Sequence, residues 1–209
     1  TFANATGLDH PDHRMSAADI GRIGYLLISQ FPEFYPWFAE QSFEWNGIRQ
    51  PNRNPLLREV SGADGIKTGH LSASGFGLVG SAVRDDERRV IVLNGLSSER
   101  ERRSEAARVM RVAFTDFKTH TLVKAGTQVA TADVWLGADA QVPLVATQDV
   151  TVGLHVDSAD SVESLVVYQG PLRAPLKEGE QVGELVITAA GAPDIRVPVA
   201  VGKPVKKLG

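Results

Sequence analysis

The sequence predicts an α+β fold: an antiparallel sheet flanked by helices, followed by a small all-β sandwich domain. Apolar residues recur at helical spacing in two segments, beginning near residues 17 and 106. Between them, three apolar runs over residues 66–95 are joined by short polar links, the pattern of an antiparallel meander. From about Thr119, short β-branched runs alternate with turn residues, which is typical of a sandwich. We therefore predict two domains, residues 1–118 and 119–209.

The first helix is predicted over residues 17–30, because Ser16 and Asp19 have the spacing of a capping box and an apolar stripe follows. The preceding loop carries His10 and His13 beside two aspartates. These residues indicate either a metal site or a plain polar loop, and the lack of a convincingly spaced third ligand favours the loop. The aromatic-rich residues 31–45 are expected to form a short helix and a strand that pack on the core.

The meander begins after Asp64-Gly65, which is interpreted as a turn pair. Its strands are predicted to start at Ile66 and to cover residues 76–83 and 88–95, which places Lys67-Thr68-Gly69 on the first strand, near a sheet edge. The second helix follows, with a buried stripe at helical spacing. The stripe comprises Ala106, Val109, Met110, Ala113, Phe114 and Phe117.

Composition excludes several classes of function. The formal net charge is −3, which predicts no nucleic-acid partner. The chain has no cysteine, so disulfides, thiolate metal sites and cysteine nucleophiles are excluded. No apolar run is long enough to span a bilayer. We predict neither a metal nor a cofactor.

The Lys67-Thr68-Gly69 triplet has a chemical interpretation on an edge strand. Lys67 supplies a fixed positive charge for a carboxylate, and the Thr68 hydroxyl can donate a hydrogen bond to the same group. Gly69 has no side chain, so an extended peptide can pair closely with the strand. Because three residues are a short motif, an exposed lysine at a strand end is the simpler alternative.

The order of several segments removes much of that ambiguity. Together they resemble the D-alanyl-D-alanine carboxypeptidases, the low-molecular-mass penicillin-binding proteins, over nearly the whole chain. The resemblance implies the C-terminal part of a β-lactamase/transpeptidase-like domain, followed by the β-rich C-terminal domain of that family. The segments are residues 2–9, 13–19, 31–35, Trp45-Asn46-Gly47-Ile48, 52–57 and Asp64 to His70.

The resemblance also implies roles for particular residues. Lys67 and His70 would be catalytic, His70 through a backbone N–H that completes an oxyanion hole. Lys67, Thr68, Gly69, His70 and Arg102 would bind the substrate. Arg102 matches, by its spacing to Glu105-Ala106, the family's arginine for the terminal carboxylate. The alternative for the cluster 100–103 is a solvated charged turn, and Arg53 is either a residue of the active-site rim or a structural loop arginine.

One departure from the family pattern is clear. No serine in the chain has Lys three residues later or Asn two residues later, so the family's Ser-x-x-Lys and Ser-x-Asn are absent. We expect the nucleophile half of the domain to lie outside this chain. A class A β-lactamase shares Lys-Thr-Gly, but the sandwich domain after the last helix argues against one.

The expected function is that of a serine D-Ala-D-Ala carboxypeptidase acting on the pentapeptide stem of peptidoglycan in the periplasm. β-Lactams would be covalent inhibitors, and the family implies attachment to the membrane surface. The β domain shows no acid–base cluster, so we expect it to be dispensable for chemistry. A non-catalytic peptidoglycan-binding or scaffolding protein with the same fold is the alternative.

Overall fold

A computed structural model of the chain describes residues 2–209. The chain divides into two compact units, Thr1–Thr115 and Asp116–Gly209, each with its own core. The first unit mixes helices with antiparallel strands, and the second consists almost wholly of strands. The predicted α+β class is confirmed.

The first unit contains three α-helices, a 3-10 helix at Tyr35–Ala39, a two-stranded hairpin and a three-stranded sheet. The three-stranded sheet has the order β3-β4-β5, so the meander is confirmed and β3 lies at its edge. In chain order the elements are α1 (Ala17–Gln30), β1 (Ser42–Trp45), β2 (Ile48–Pro51), α2 (Leu56–Glu59), β3 (Ala63–Leu71), β4 (Gly75–Arg84), β5 (Glu87–Leu96) and α3 (Glu99–Thr115).

Helix α1 has the predicted bounds and the predicted cap. The Ser16 hydroxyl oxygen accepts a hydrogen bond from the Asp19 N–H at 3.1 Å, and the Asp19 carboxylate accepts one from the Ser16 N–H at 3.1 Å. The Ser16 hydroxyl also donates to this carboxylate, and these bonds hold the pKa of Asp19 below its ordinary value. Two of the otherwise unpaired donors at the helix start are thereby satisfied.

The sheet lies between two helical layers. Consecutive residues of a strand point to opposite faces, and Leu78 and Val79 of β4 show this division. Val79 lies under Gly24 of α1, where the missing side chain lets helix and sheet approach closely. Leu78 is buried in the opposite core, formed by α2, α3 and the other face of the sheet. That core contains Leu56, Val60, Leu78, Ala82, Ile91, Ala106, Ala107 and Met110.

Three local expectations for this unit are wrong. Asp64-Gly65 is not a turn but part of β3, since the turn falls one step earlier, at Ser61-Gly62. The aromatic segment does not pack on the core as a whole. Tyr35 is buried, but Phe43 and Trp45 point from one side of the β1–β2 hairpin into solvent. Within residues 2–209, no other element covers that side of the hairpin.

The third correction concerns Phe117, which was expected in the stripe of the second helix. Helix α3 ends at Thr115, and Phe117 begins a strand of the second unit. There it pairs with His155, and the two rings meet edge to face with centroids 5.4 Å apart. At this point the helical hydrogen bonds end, and the backbone begins to pair with a neighbouring strand.

A polar network joins the start of β3 to the rest of the first unit. The Arg88 Nη1 on β5 donates to the Asp64 carboxylate at 2.7 Å and to the Ser81 hydroxyl at 2.6 Å. The Tyr35 hydroxyl, from the 3-10 helix, donates to the same carboxylate at 3.1 Å. Burial raises the pKa of Tyr35 to about 12, so its hydroxyl keeps its proton. One guanidinium therefore ties three strands and a helix together.

The second unit is a sandwich with one shared core. Val150 of the smaller sheet is buried together with residues of the larger sheet. The larger sheet has the order β10-β12-β13-β8-β7-β11, and β6 pairs with β9 in the smaller one. Its strands are β6 (Phe117–Val123), β7 (Gln128–Trp135), β8 (Gln141–Ala146), β9 (Val150–His155), β10 (Glu163–Tyr168), β11 (Leu172–Arg173), β12 (Gln181–Thr188) and β13 (Ile195–Val201).

The basic C-terminal segment folds back on this unit. Val205 forms a β-bridge with Leu176, and Lys207 forms one with Gly137. The Leu208 N–H donates to the Leu136 carbonyl at 2.9 Å. These residues are extended rather than helical. Over the described part of the chain, no helix combines the length and apolarity needed to cross a membrane.

The Arg88 network yields a stability prediction. Arg88→Met should lower the free energy of unfolding by about 1–3 kcal/mol, because Asp64 and Ser81 lose a charged partner in a half-buried site. Arg108→Met is the control, since Arg108 pairs with Glu105 on an exposed face of α3 and its loss should leave the free energy of unfolding almost unchanged. Urea unfolding followed by circular dichroism measures both values, and equal losses would contradict the prediction.

Candidate active site

The Lys67-Thr68-Gly69 triplet lies on the edge strand β3, as predicted. Lys67 is exposed, and its Nζ donates a hydrogen bond to the Thr68 carbonyl at 2.6 Å. The Thr68 side chain is buried, whereas Gly69 is open: a Cβ placed on it would have no heavy atom within 4 Å. The strand therefore offers a cation beside a stretch of backbone that no side chain covers.

His70 is held by an aromatic partner. Its ring stacks on that of Phe76, the residue directly opposite on β4, with ring centroids 3.9 Å apart and planes inclined by 25°. This stacking fixes the end of the edge strand beside the triplet.

Arg102 reaches the same place from helix α3. Only 5% of its surface is exposed. Its Nη1 donates to the Gly69 carbonyl at 3.4 Å, and its Nη2 lies 3.5 Å from the Glu99 carboxylate. Its guanidinium carbon lies 5.5 Å from the centre of the Phe76 ring. Among the described residues the Nε has no hydrogen-bond partner, so a buried donor remains available to an anion.

Two asparagines fix the loop that carries Arg53. The Asn52 side-chain amide donates to the carbonyls of Phe38 and Glu40, at 3.3 and 2.9 Å. Its side-chain oxygen accepts from the Asn54 N–H at 2.9 Å, and the oxygen of the buried Asn54 accepts from the N–H at the start of α2. Arg53 is thereby presented from a rigid turn.

Arg53 and Arg102 line one cavity of about 420 Å³. Most of the other lining residues are also of polar or charged type. The lining residues are Pro51, Asn52, Arg53, Pro55, Arg58, Glu59, Glu99, Arg100, Arg102 and Arg103. The arrangement is suited to anions, since it combines several guanidinium groups with an uncovered strand edge.

Comparison with known proteins decides the family. The sequence profile for D-alanyl-D-alanine carboxypeptidase matches residues 1–97, and that for the C-terminal domain of penicillin-binding protein 5 matches residues 117–207. The chain belongs to the D-alanyl-D-alanine carboxypeptidase family. The resemblance inferred from the sequence is confirmed.

Individual relatives agree with this assignment. The chain is 34% identical over 186 residues to D-alanyl-D-alanine carboxypeptidase DacD of Escherichia coli, which is 88% of this chain and 48% of that protein. It is 33% identical to DacC of the same organism, over 100% of this chain and 53% of DacC. The structure of penicillin binding protein 5 from Haemophilus influenzae superposes with a TM-score of 0.79 at 31% identity, covering 99% of this chain and 61% of the other. The chain thus spans about half the length of the curated relatives it matches.

The carboxypeptidase fold brings some of the predicted residues together. Gly69 and Arg102 are in direct contact, and His70 and Arg102 share Phe76 as a neighbour. The Lys67 ammonium turns back to its own strand, and Thr68 faces inward. His10 and His13 lie in the loop before α1, and no group of three or more metal-binding side chains occurs in residues 2–209.

The sequence interpretation missed the residues that support these groups. Phe76 was read only as part of a strand, although its position opposite His70 follows from the meander register. Asn52 and Asn54 were not identified as supporting residues, although the pattern Asn-x-Asn before a helix was the available signal. Arg58 and Glu59 gave no signal, because α2 is too short to show a periodic pattern.

The start of α3, which positions Arg102, depends on serines. The Ser98 hydroxyl oxygen accepts from the Glu101 N–H at 3.1 Å. The Glu101 carboxylate accepts from the Ser97 hydroxyl and from the Ser97 N–H, the latter at 2.7 Å. These bonds favour the ionised form and hold the pKa of Glu101 below its ordinary value. A carboxylate at this end also complements the helix dipole.

This cap gives a prediction about proton binding. Ser97→Ala should raise the pKa of Glu101 toward its ordinary value, because the strongest bond to the carboxylate is lost. Ser104→Ala is the control, since the Ser104 hydroxyl donates to the Glu101 carbonyl rather than to its carboxylate. A carbon-detected NMR titration of the glutamate side chains measures the pKa of Glu101 in both variants.

The pH dependence has a defined sign. The folded-state pKa is depressed, so the stabilisation by Glu101 is present above the unfolded pKa and is lost as the pH falls through the folded pKa. An unchanged Glu101 titration in Ser97→Ala would contradict the assignment.

Proposed function

We propose that this chain supplies the Lys-Thr-Gly wall of a serine-type D-Ala-D-Ala carboxypeptidase, whose Ser-x-x-Lys and Ser-x-Asn lie in a part of the protein outside it. One observation carries the proposal: a buried arginine contacts the backbone of the Lys-Thr-Gly edge strand and keeps an unpaired donor. Membership of the carboxypeptidase family supports it. The matched relatives extend well beyond the length of this chain, which leaves room for the other motifs.

The proposed reaction proceeds in two steps. The serine oxygen attacks the carbonyl carbon between the last two D-alanines, and the C–N bond breaks to release D-alanine and leave an ester on the serine. Water then attacks the ester, which releases the shortened peptide and restores the hydroxyl. The His70 N–H stabilises the negative oxygen that forms in both steps, so the role of His70 in the chemistry belongs to its main chain.

The remaining site residues hold the substrate. The edge of β3 pairs with the extended peptide, with Gly69 allowing a close approach. Lys67 and Thr68 contribute positive charge and a hydroxyl donor near the substrate carboxylate. Because the Thr68 side chain is buried, the substrate carboxylate must approach closely to accept a hydrogen bond from its hydroxyl. Arg102 binds the terminal carboxylate, and a planar guanidinium suits this group because two parallel hydrogen bonds can form.

Partners and location follow from the same proposal. The substrate is the pentapeptide stem of peptidoglycan, and β-lactams acylate the same serine. The nucleophile half of the domain is the intramolecular partner of this chain. The proposed location is the periplasm, at the outer face of the cytoplasmic membrane. Family membership is the support for these statements.

Lys67 gives the first test of the proposed function. In the full-length protein, Lys67→Ala should slow acylation by a fluorescent penicillin at least ~100-fold, the scale of removing one preorganised polar group. Lys124→Ala, in the second unit, should acylate at the normal rate. Near-normal labelling of Lys67→Ala would remove this lysine from the site. Absence of labelling in the unchanged full-length protein would favour a non-catalytic protein with the same fold.

Arg102 gives the second test. Arg102→Ala should cost about 2–5 kcal/mol of transition-state stabilisation in the release of D-alanine from diacetyl-Lys-D-Ala-D-Ala. The loss is measured as the ratio of kcat/KM between the unchanged protein and the variant. Arg102→Lys should restore only part of this loss, because an ammonium group cannot bind a carboxylate through two parallel bonds.

A purely structural role for Arg102 must be separated from a binding role. Arg108→Ala on the exposed face of α3 is the matched control and should leave kcat/KM unchanged. The thermal midpoint of each variant is measured alongside. Full activity of Arg102→Ala would exclude carboxylate binding by this residue, and equal losses in Arg102→Ala and in a folded Arg102→Lys would argue against two parallel hydrogen bonds.

A further inference from the structure

One face of the β1–β2 hairpin carries exposed aromatic side chains. Residues directly opposite each other in an antiparallel pair lie on the same side, so Phe43 and its partner Gln50 share this face with Trp45. Phe43 is 68% exposed and Trp45 is 74% exposed. The opposite face is polar, and there the Arg49 Nε donates to the Ser42 hydroxyl at 3.0 Å. Large aromatic side chains grouped on one exposed face indicate a binding surface.

A third aromatic ring lies beside this face and forms a cleft with it. Trp37, on the 3-10 helix, is 69% exposed, and its ring packs against that of Phe34 with centroids 5.2 Å apart. The cleft has a volume of about 440 Å³. The Asn52 side-chain amide fixes its base, because it joins the end of the hairpin to the Glu40 carbonyl at 2.9 Å. The lining residues are Trp37, Glu40, Ser42, Phe43, Trp45, Gln50, Pro51 and Asn52.

The polar groups of this aromatic cleft suit an uncharged ligand. Glu40 is the only ionisable residue among the lining residues, and no cation lies there to attract an acidic peptide or an anionic lipid. The side chains of Glu40 and Gln50 have no hydrogen-bond partner within residues 2–209. A sugar ring has C–H groups on its faces and hydroxyl groups around its edge. It can therefore pack on an aromatic ring while its edge bonds to a carboxylate and an amide.

The aromatic cleft adjoins the proposed peptide site. Pro51 and Asn52 line both this cleft and the cavity that contains Arg102. That cavity is about 9 Å across if it is round, whereas a stem of five residues spans roughly 17 Å when extended. When the terminal carboxylate lies at Arg102, the amino end of the stem, which carries the sugar, must lie outside the cavity. The neighbouring cleft is then within its reach.

We propose that the aromatic cleft binds an N-acetylated sugar of the glycan strand to which the peptide stem is attached. Phe43 and Trp45 pack against the faces of the sugar ring. The Gln50 amide donates to the acetyl carbonyl, and the Glu40 carboxylate accepts from a hydroxyl group. The inference rests on the proposed carboxypeptidase function and adds a subsite for the carbohydrate part of the substrate.

Direct binding tests the cleft without requiring catalysis. The probe is the tetramer of N-acetylglucosamine, and saturation-transfer NMR on the full-length protein measures its Kd through its ring C–H protons. Trp45→Ala should raise Kd about 3–10-fold, because the sugar loses the ring on which it packs. Phe43→Ala should act in the same direction. Trp135→Ala removes an exposed tryptophan of the second unit and should leave Kd unchanged.

Two matched substrates connect the cleft to the reaction. One is the pentapeptide stem with its N-acetylated disaccharide, and the other is the same peptide with an acetyl group in place of the sugars. In the unchanged full-length protein, kcat/KM should be about 3–10-fold higher for the glycosylated peptide, through a lower KM. Trp45→Ala should bring this ratio close to one. Glu44→Ala, on the same strand but outside the cleft, should leave the ratio unchanged.

The outcomes separate this inference from the proposed function. Failure of both peptides to release D-alanine would overturn the proposed function, and the tetramer would still show whether the cleft binds sugar. Release of D-alanine without saturable binding of the tetramer would overturn the glycan subsite alone. That result is expected if the part of the protein outside this chain covers the hairpin. A substrate ratio near one in the unchanged protein, or equal effects of Trp45→Ala and Trp135→Ala on Kd, would overturn it as well.

Discussion

The first unit is organised around one guanidinium. Arg88 joins Asp64 on β3 to Ser81 on β4, and the Tyr35 hydroxyl closes the network from the 3-10 helix. Because these groups are only partly exposed, each would be costly if left without its partner. The network fixes the start of β3, and the register along β3 then determines where Lys67, Gly69 and His70 lie.

At the other end of β3, the capacity to bind an anion comes from a guanidinium whose hydrogen bonds are incomplete. Arg102 is almost entirely buried, yet its guanidinium has one long hydrogen bond, one marginal ion pair and an unused Nε. A buried cation in this condition destabilises the unliganded protein and gains most when an anion arrives. The packing of Phe76 against both His70 and Arg102 keeps the groups in place without satisfying them. A few residues thus combine a fixed geometry with hydrogen-bonding groups that have no partner.

The periodic parts of this fold could be predicted from the sequence, and the exceptions have physical causes. Helix α1 and the meander follow from local spacing and turn residues; Asp85 and Asp86, for example, both adopt the positive φ that a two-residue hairpin turn requires. Asp64 was misread as a turn residue because its partner Arg88 is distant in sequence. The exposure of Phe43 and Trp45 depends on what covers a hairpin, which side-chain type alone does not encode.

For the site, the identities of the residues were predictable, whereas their burial and their contacts were not. A triplet motif identified Lys67 to Gly69, and the order of segments identified Arg102. Burial of Arg102 and the grouping of five arginines around one cavity depend on how α3 meets the loop before α2. Such convergence of distant segments leaves no periodic trace in the chain, so it appears only in three dimensions.

The exposed aromatic residues have a practical consequence for spectroscopy of this chain. All three tryptophans, Trp37, Trp45 and Trp135, have more than half of their surface in contact with solvent. Their emission in the folded state should therefore resemble that of an unfolded chain, and intrinsic fluorescence is a poor reporter of its unfolding. The same property makes Trp37 and Trp45 useful as local probes, because any group that covers the β1–β2 hairpin would shift their emission to shorter wavelength while the core stays unchanged.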